Sequence, residues 1–236
     1  MTLYKLPKQY SAGFSQPNKK PVGDVEIDWD NPLSKGLAFL QVYGNNGYQD
    51  LVSGGVMGVY GNAHNNISNG MQGFKAETYT GFNAVDVTPL DPSLWDGVTC
   101  ISVFEVRTDG LFPGLIMSGQ IGASTGNWLL TDESGGVKWK GRNTGTPAVV
   151  SATPGKLATV ISTSDNISGD DTIYIEQDGD KSQATANHSG NFQGVRSENY
   201  IGYYSRGGGR SHIQPIYFTA IYNRALSEAE VIALQK

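Results

Sequence analysis

Apolar and polar residues alternate along much of the chain after residue 37, and a period of two predicts β-strands. In the run from Thr172 to Gln177, Ile173 and Ile175 fall on one face and polar residues fall on the other. Residues 156–163 alternate in the same way. Residues 98–106 are richer in β-branched and aromatic side chains, which is typical of a strand covered on both faces.

Turn residues separate these runs. Asp109-Gly110 and Asp178-Gly179 are pairs that favour tight hairpins, because glycine accepts the positive φ that such turns require. Ser134-Gly135-Gly136 separates two further runs. A long series of short antiparallel strands predicts an all-β fold, either two stacked sheets or a closed barrel.

A short helix is expected at the carboxyl end. Ser227 can cap the first backbone amides, and Glu230 can reach back to the amide of Ser227, which together form a capping box. Leu226 and Val231 would make the apolar contact that often accompanies this motif, and Leu234 would face the sheet.

Residues 1–36 have a different character. Four prolines lie among them, and each disfavours helix at the residue before it, so the segment is predicted to be an extended arm. The arm carries apolar side chains that could dock it on a surface. That surface is either its own domain or another subunit. The candidate docking residues are Tyr4, Leu6, Tyr10 and Phe14.

Composition narrows the function. The 236 residues include 17 Lys and Arg against 22 Asp and Glu, a net charge of −5, which argues against binding nucleic acid through its phosphates. A single cysteine excludes a disulfide within the chain and a multi-cysteine zinc site. No apolar run reaches about 18 residues, so no membrane span is expected. The first residues lack the apolar core of a signal peptide, so we expect synthesis in the cytoplasm.

Three stretches, at residues 172–179, 199–202 and 221–231, resemble laminin-G-like domains of the concanavalin A-like lectin and glucanase superfamily. The resemblance implies a two-sheet antiparallel jelly-roll sandwich over residues 37–236, preceded by the arm. The phrase Asn31-Pro-Leu-Ser-Lys-Gly-Leu37, after a short arm, is similar to the start of phage-encoded members.

The motif Glu26-Ile27-Asp28-Trp29-Asp30 resembles the acidic strand of laminarinase-like glucanases in that superfamily. In a strand its three carboxylates would share one face and could line a cleft. Two features favour a solvated acidic strand with Trp29 as a packing anchor. Asp30 stands where the family has a glutamate, and the motif precedes the sandwich.

Other candidate sites lie in loops. Residues 165–171 are rich in oxygen ligands and could hold calcium, although an ordinary turn has the same composition. No other cofactor is expected. The segment from Arg206 to Arg210 could bind an anion or be a plain inter-strand loop. Tyr203 or Tyr204 could stack on a sugar ring, but adjacent strand residues point to opposite faces.

No catalytic residue is assigned. His64, His188 and His212 occur in polar, loop-like contexts without a patterned serine or cysteine partner. Cys100 lies in an apolar run, where a buried, unreactive thiol is expected. The sequence therefore predicts that the protein is not an enzyme.

These observations together predict a non-catalytic structural or interaction module of a bacteriophage particle, a capsid decoration or tail-associated protein. The arm would dock it on capsid or tail subunits, the protein would form a homo-oligomer, and it would reside in the virion after synthesis in the host cytoplasm. The alternative is a lectin that binds a cell-surface glycan. A third hypothesis is a laminarinase-like glycoside hydrolase that uses Glu26 and Asp30.

Overall fold

A computed structural model describes residues 4–5, 26–43, 48–61, 63–68, 71–76, 84–86, 95–108, 114–119, 126–133, 136–141, 146–187, 199–204 and 210–235. Their strands are β1 (Tyr4–Lys5), β2 (Glu26–Ile27), β3 (Leu37–Val42), β4 (Val59–Tyr60), β5 (Ala63–Ser68), β6 (Met71–Ala76), β7 (Ala84–Asp86), β8 (Gly97–Glu105), β9 (Gly114–Gly119), β10 (Gly126–Glu133), β11 (Gly136–Lys140), β12 (Ala148–Ser151), β13 (Leu157–Asp165), β14 (Asp170–Gln177), β15 (Asp180–Asn187), β16 (Asn199–Ile201), β17 (Tyr203–Tyr204), β18 (Arg210–Ser211) and β19 (Ile216–Tyr222). The helices are a 3-10 turn at Pro32–Ser34 and α1 at Glu228–Leu234.

The strands form two large antiparallel sheets. One has seven strands in the order β12-β11-β10-β9-β16-β7-β4. The other has eight, in the order β15-β14-β13-β8-β19-β6-β5, with β3 also paired to β19. Two small pairs, β1–β2 and β17–β18, lie outside them. The predicted all-β sandwich of two antiparallel sheets is confirmed.

The eight-stranded sheet is buried on both faces at its centre, as the composition of residues 98–106 predicts. Along β8, Val98, Cys100 and Phe104 belong to the core between the sheets, which we call the inner core. Ile101 and Val103 point the other way, into a second cluster on the outer face of this sheet, which we call the outer core. Cys100 is buried, as expected, and burial raises the pKa of its thiol well above the ordinary value.

The carboxyl-terminal helix covers part of the outer core. The Ser227 hydroxyl accepts from the Glu230 amide, and the Glu230 carboxylate accepts from the Ser227 amide, so the predicted capping box is confirmed. Leu226, Val231 and Leu234 are buried in the outer core. The helix therefore closes this face of the eight-stranded sheet.

Part of the predicted arm also packs on the outer core. Ile27 and Leu33 are buried there. Strand β1 pairs with β2, with Tyr4 opposite Ile27 and Lys5 opposite Glu26, so the start of the chain returns to residues just before the sandwich.

The hairpin between β14 and β15 has the predicted two-residue turn. Gln177 pairs with Asp180, and Asp178 and Gly179 between them have φ of 53° and 88°. Both residues thus lie in the left-handed region, as a type I′ turn requires. The turn holds eight residue pairs of the hairpin in an uninterrupted register.

Candidate functional site: a polar groove at the rim of the sandwich

A groove opens where the edges of the two sheets approach each other. One wall is the segment that leaves β12 and enters β13, and the other wall is the β14–β15 hairpin. Its volume is about 230 Å³. This lies somewhat below the range of about 300–1,000 Å³ for drug-sized ligands, so the groove fits a single small ring or the end of a chain of rings.

The floor of the groove is apolar and its sides carry hydroxyl groups. Ile175 lies at the floor and is buried against the inner core. Ser182 is directly opposite Ile175 in the β14–β15 register, so both side chains point into the groove. Ser151 and Thr153 line the facing wall.

The Gln177 side chain fastens the two walls together. Its Oε1 accepts from the Thr153 amide at 2.8 Å, and its Nε2 donates to the Thr153 carbonyl oxygen at 3.3 Å. A paired donor and acceptor fix both the distance and the orientation of the wall segment. We infer that the groove keeps its width without a bound ligand.

Two lysines belong to the lining, and each pairs with a carboxylate of its own chain, but Lys181 is adjacent to Ser182 in β15, so its side chain points to the opposite face of the hairpin. The Lys156 Nζ lies 3.0 Å from the Asp178 Oδ2, with 53% and 66% of the two side chains exposed. The Lys181 Nζ lies 3.7 Å from the Glu176 Oε2 and also donates to the Gln235 carbonyl oxygen at 3.3 Å. Exposed pairs contribute at most about 1 kcal/mol, but they neutralise both ammonium groups locally.

Asp180 completes the charged lining. Unlike Asp178, its carboxylate takes part in no side-chain hydrogen bond or ion pair with the described part of the chain. The groove thus offers a carboxylate, several hydroxyls and an apolar floor. Such a lining can accept and donate hydrogen bonds to a ligand that is itself rich in hydroxyls.

The predicted sugar-stacking residues lie elsewhere. The Tyr203 side chain is only 5% exposed and packs edge-on against Tyr200, with ring centroids 6.1 Å apart. Tyr204 pairs with Arg210 between β17 and β18, and Arg206 lies outside the described residues. A role for these four residues in ligand binding stays a prediction, and the buried Tyr203 ring offers no open face for stacking.

The docking residues of the arm are only partly described. Tyr4 lies in β1, whereas Leu6, Tyr10 and Phe14 lie outside the described residues. Docking of the arm on another subunit therefore stays a prediction.

The expected acidic strand at residues 26–30 is wrong. Strand β2 ends at Ile27, and the chain then turns. The Asn31 amide and the Ser34 hydroxyl both donate to the Asp28 carbonyl oxygen. Glu26, Asp28 and Asp30 consequently do not line up along one strand face. Trp29 is 58% exposed, so it is not the expected packing anchor. The geometry that a glucanase motif needs is missing here.

The predicted calcium loop is held by its own hydrogen bonds. The Asp165 Oδ1 accepts from the Ile167 amide at 2.7 Å, and the Asp170 Oδ1 accepts from the Asn187 Nδ2 at 2.9 Å. No group of three or more His, Cys, Asp or Glu side chains that could hold a metal occurs among the described residues. Calcium binding by this loop stays a prediction.

His212 is not in the polar context that its neighbours in sequence suggest. Its ring is fully buried and lies edge-on to Phe104. The Nδ1 lies 2.8 Å from the Gln214 carbonyl oxygen, and the Nε2 lies 3.4 Å from the Oδ2 of buried Asp132. The Asp132 Oδ2 also accepts from the Arg107 amide at 2.7 Å.

Sequence reasoning missed the groove because its walls come from two distant turns. The Asp178-Gly179 turn was predicted, and Thr153-Pro154-Gly155-Lys156 is a second cluster of turn residues. Nothing in the local pattern says that these two turns meet.

In the part of the chain that is described, no helix is long and apolar enough to cross a membrane.

Comparisons with known proteins give the fold. No family model matches the sequence, and no curated protein matches it. Among solved structures, Trypanosoma rangeli sialidase in complex with sialic acid is similar over 85% of this chain and 32% of its own, at 19% identity and a TM-score of 0.57. A structure of botulinum neurotoxin type C, described as interacting with two ganglioside molecules, is similar over 86% and 52%, at 14% identity and a TM-score of 0.59.

Domain 4 of the GH43 extracellular arabinanase AbnA from Geobacillus stearothermophilus, in complex with arabinotriose, is similar over 85% of this chain and 98% of its own. The identity is 12% and the TM-score is 0.59. This chain spans about a third of the sialidase and nearly all of the arabinanase domain. At these identities the similarities establish the β-sandwich fold.

These similarities correct one prediction. The sequence shows no recognisable catalytic set, from which we expected that the protein is not an enzyme. The same sandwich occurs within the chains of a sialidase and a GH43 arabinanase, so that prediction is wrong: neither this fold nor the missing motif excludes an enzyme. The resemblance to laminin-G-like domains stays a prediction.

Proposed function

We propose that this chain is a lectin-like carbohydrate-binding module and that the polar groove at the sandwich rim is its binding site. The observation that carries the proposal is the groove itself, whose hydroxyl and carboxylate side chains stand above an apolar floor. The fold of a domain solved with arabinotriose, and of a toxin that interacts with gangliosides, supports the same proposal.

The chemistry of the groove suits a sugar. A sugar ring presents hydroxyls at its edge and C–H groups on its faces. Ser151, Thr153 and Ser182 can exchange hydrogen bonds with the ring edge, while Ile175 lies beneath the C–H face. The Gln177 amide already holds the walls at their separation, so little ordering entropy is lost on binding.

A glycan array with the purified chain tests the proposal. Ser182→Trp places an indole in the groove at an exposed position, and we expect at least about ten-fold weaker binding, equivalent to 1.4 kcal/mol. Asp96→Asn is the control, because Asp96 is exposed beside the far end of β13, about 25 Å from the groove along that strand. The proposal fails if the folded chain binds no glycan, or if Ser182→Trp binds as the unaltered chain does.

Display of this module on a bacteriophage particle is the finer hypothesis that the sequence offers. It includes capsid or tail subunits as partners, docking by the arm, assembly into a homo-oligomer and a location in the virion. Deleting residues 1–20 should abolish incorporation into particles while glycan binding persists. Unchanged incorporation of the shortened chain would refute docking by the arm.

A further inference from the structure

We propose that the groove selects uncharged sugars with adjacent free hydroxyls, that Asp180 is the group that accepts from those hydroxyls, and that sugars bearing a carboxylate are excluded. This inference rests on the proposed function, since it names the class of ligand for the same groove. The observation behind this inference is the pairing of charged side chains in the lining of the groove.

The positive charges of the groove are already neutralised. The Lys156 ammonium lies 3.0 Å from the Asp178 carboxylate. The Lys181 ammonium lies on the opposite face of the hairpin, 3.7 Å from the Glu176 carboxylate and 3.3 Å from the Gln235 carbonyl oxygen, so it does not face the groove. An acidic sugar would have to displace an internal carboxylate to gain a cation, so it gains little net electrostatic energy.

The charge that remains unpaired in the lining is negative. Asp180 has no side-chain partner within the described residues, and it stands at the rim beside Ser182. A carboxylate has two acceptor oxygens and no donor when ionised, so it can accept from two neighbouring hydroxyls at once. Hydrogen bonds to an ionised acceptor are roughly twice as strong as neutral ones.

The same carboxylate repels an anionic ligand. Two like charges at close range repel each other, and at an exposed carboxylate such as Asp180 solvent screens part of this repulsion. The whole chain has a net charge of −5, so its long-range field acts in the same direction. Trypanosoma rangeli sialidase, which is similar to this chain over 32% of its own length, was solved with sialic acid, which carries a carboxylate. The ligand proposed for this chain differs in being uncharged.

Calorimetry with three probes tests the selection: arabinotriose and lactose as uncharged sugars, and 3′-sialyllactose as the acidic counterpart of lactose. We expect binding of at least one uncharged probe and at least about ten-fold weaker binding of 3′-sialyllactose than of lactose. Asp180→Asn removes the charge but keeps the shape, and it should weaken binding of the uncharged probe about ten-fold.

Asp178→Asn is a second variant in the same groove, and Asp96→Asn, at the far end of β13, is the control. Asparagine tolerates the positive φ of 53° at residue 178, so the turn is retained. Because this variant frees the Lys156 ammonium, it should strengthen 3′-sialyllactose binding relative to the unaltered chain.

The outcomes separate the two proposals. Tighter binding of 3′-sialyllactose than of lactose, still blocked by Ser182→Trp, overturns the selection but leaves glycan binding in the groove intact. Equal effects of Asp180→Asn and of the control Asp96→Asn on the uncharged probe also overturn the role of Asp180. Failure of all three probes and of a full glycan array overturns the proposed function itself.

Discussion

The two cores of this sandwich meet the same sheet from opposite sides and treat polar groups differently. In the outer core, the Thr99 hydroxyl donates to the Arg224 carbonyl oxygen and accepts from the Leu226 amide, both at 2.9 Å. In the inner core, the side-chain oxygens of Ser102 and Ser162 are buried and have no hydrogen-bond partner among the described residues. The Tyr222 hydroxyl on the outer side also lacks one.

The two faces of the sheet are also covered by different parts of the chain. Residues 26–34 and helix α1 cover the outer core, and Thr99 helps to fix the chain where it enters the helix. The inner core is closed by the second sheet but remains accessible at the rim, where Ile175 forms the floor of the groove. Binding is therefore expected at the sheet edge rather than on a sheet face.

The largest change in the free energy of unfolding should come from a substitution in the inner core. Trp139 is fully buried on β11, and its Nε1 donates to the Thr163 carbonyl oxygen of the facing sheet at 3.0 Å. Trp139→Ala should lower the free energy of unfolding by about 3–5 kcal/mol in urea denaturation. Trp29→Ala, at an exposed tryptophan, is the control and should change it by less than about 0.5 kcal/mol. Similar losses in both variants would contradict the assignment of Trp139 to the core.

A second pair of variants compares the two cores directly. Thr99→Val leaves the Leu226 amide and the Arg224 carbonyl without their partner and should cost about 1–3 kcal/mol of unfolding free energy. Ser102→Ala removes a hydroxyl without a partner and should cost less than about 1 kcal/mol or stabilise the chain. Equal losses by chemical denaturation would abolish the distinction between the cores.

The closure of the outer core depends on the helix cap. Ser227→Ala removes the acceptor of the Glu230 amide and should lower stability by about 1 kcal/mol. Ser227→Asn, which keeps a capping oxygen, should restore most of the loss in the same thermal or urea unfolding measurement. If Ser227→Asn is as unstable as Ser227→Ala, capping is not the cause.

The smallest expected effect is the loss of unfolding free energy at acidic pH. Two Arg224 hydrogen bonds, at 2.7 and 3.0 Å, hold the pKa of Glu230 at about 2, below its ordinary value of 4.5. Since the pKa is lower in the folded chain, this contribution is present above about pH 4.5 and is lost as the pH falls toward about 2. The pair is partly exposed, so Glu230→Gln should cost under about 1 kcal/mol at pH 7.

Urea denaturation between pH 7 and pH 3 checks this expectation. The gap in unfolding free energy between the unaltered chain and Glu230→Gln should narrow as the pH is lowered. Glu228→Gln, at an exposed site on the same helix, serves as the control. A gap that stays constant over that range would show that the Arg224 pair does not set the Glu230 pKa.

The sequence predicts the features that depend on which faces of a single strand or helix are buried. The alternation in residues 172–177 reflects Ile173 and Ile175 facing the inner core, and the apolar run at residues 98–106 reflects burial on both faces of β8. The capping box is equally local, because its bonds join residues three apart. Each of these could be predicted without knowing the partner strands.

Other features depend on contacts between distant residues. The order of strands places β8 beside β19, and no local pattern contains that information. The acidic residues at 26–30 alternate like a strand, yet Asn31 caps a 3-10 turn that begins at Pro32. An asparagine followed by proline was the available signal for that turn. The groove could not be predicted in the same way, because it forms where two turns more than twenty residues apart in sequence come together.

The turn at Asp178-Gly179 has a consequence for protein engineering. A Cβ at Gly179 would meet no atom within 4 Å, so the tip projects into open space beside the groove. A randomised peptide grafted between β14 and β15 would extend one wall while the paired strands behind it keep their register. The hairpin tip is thus a position at which new binding residues can be introduced without altering the sheet.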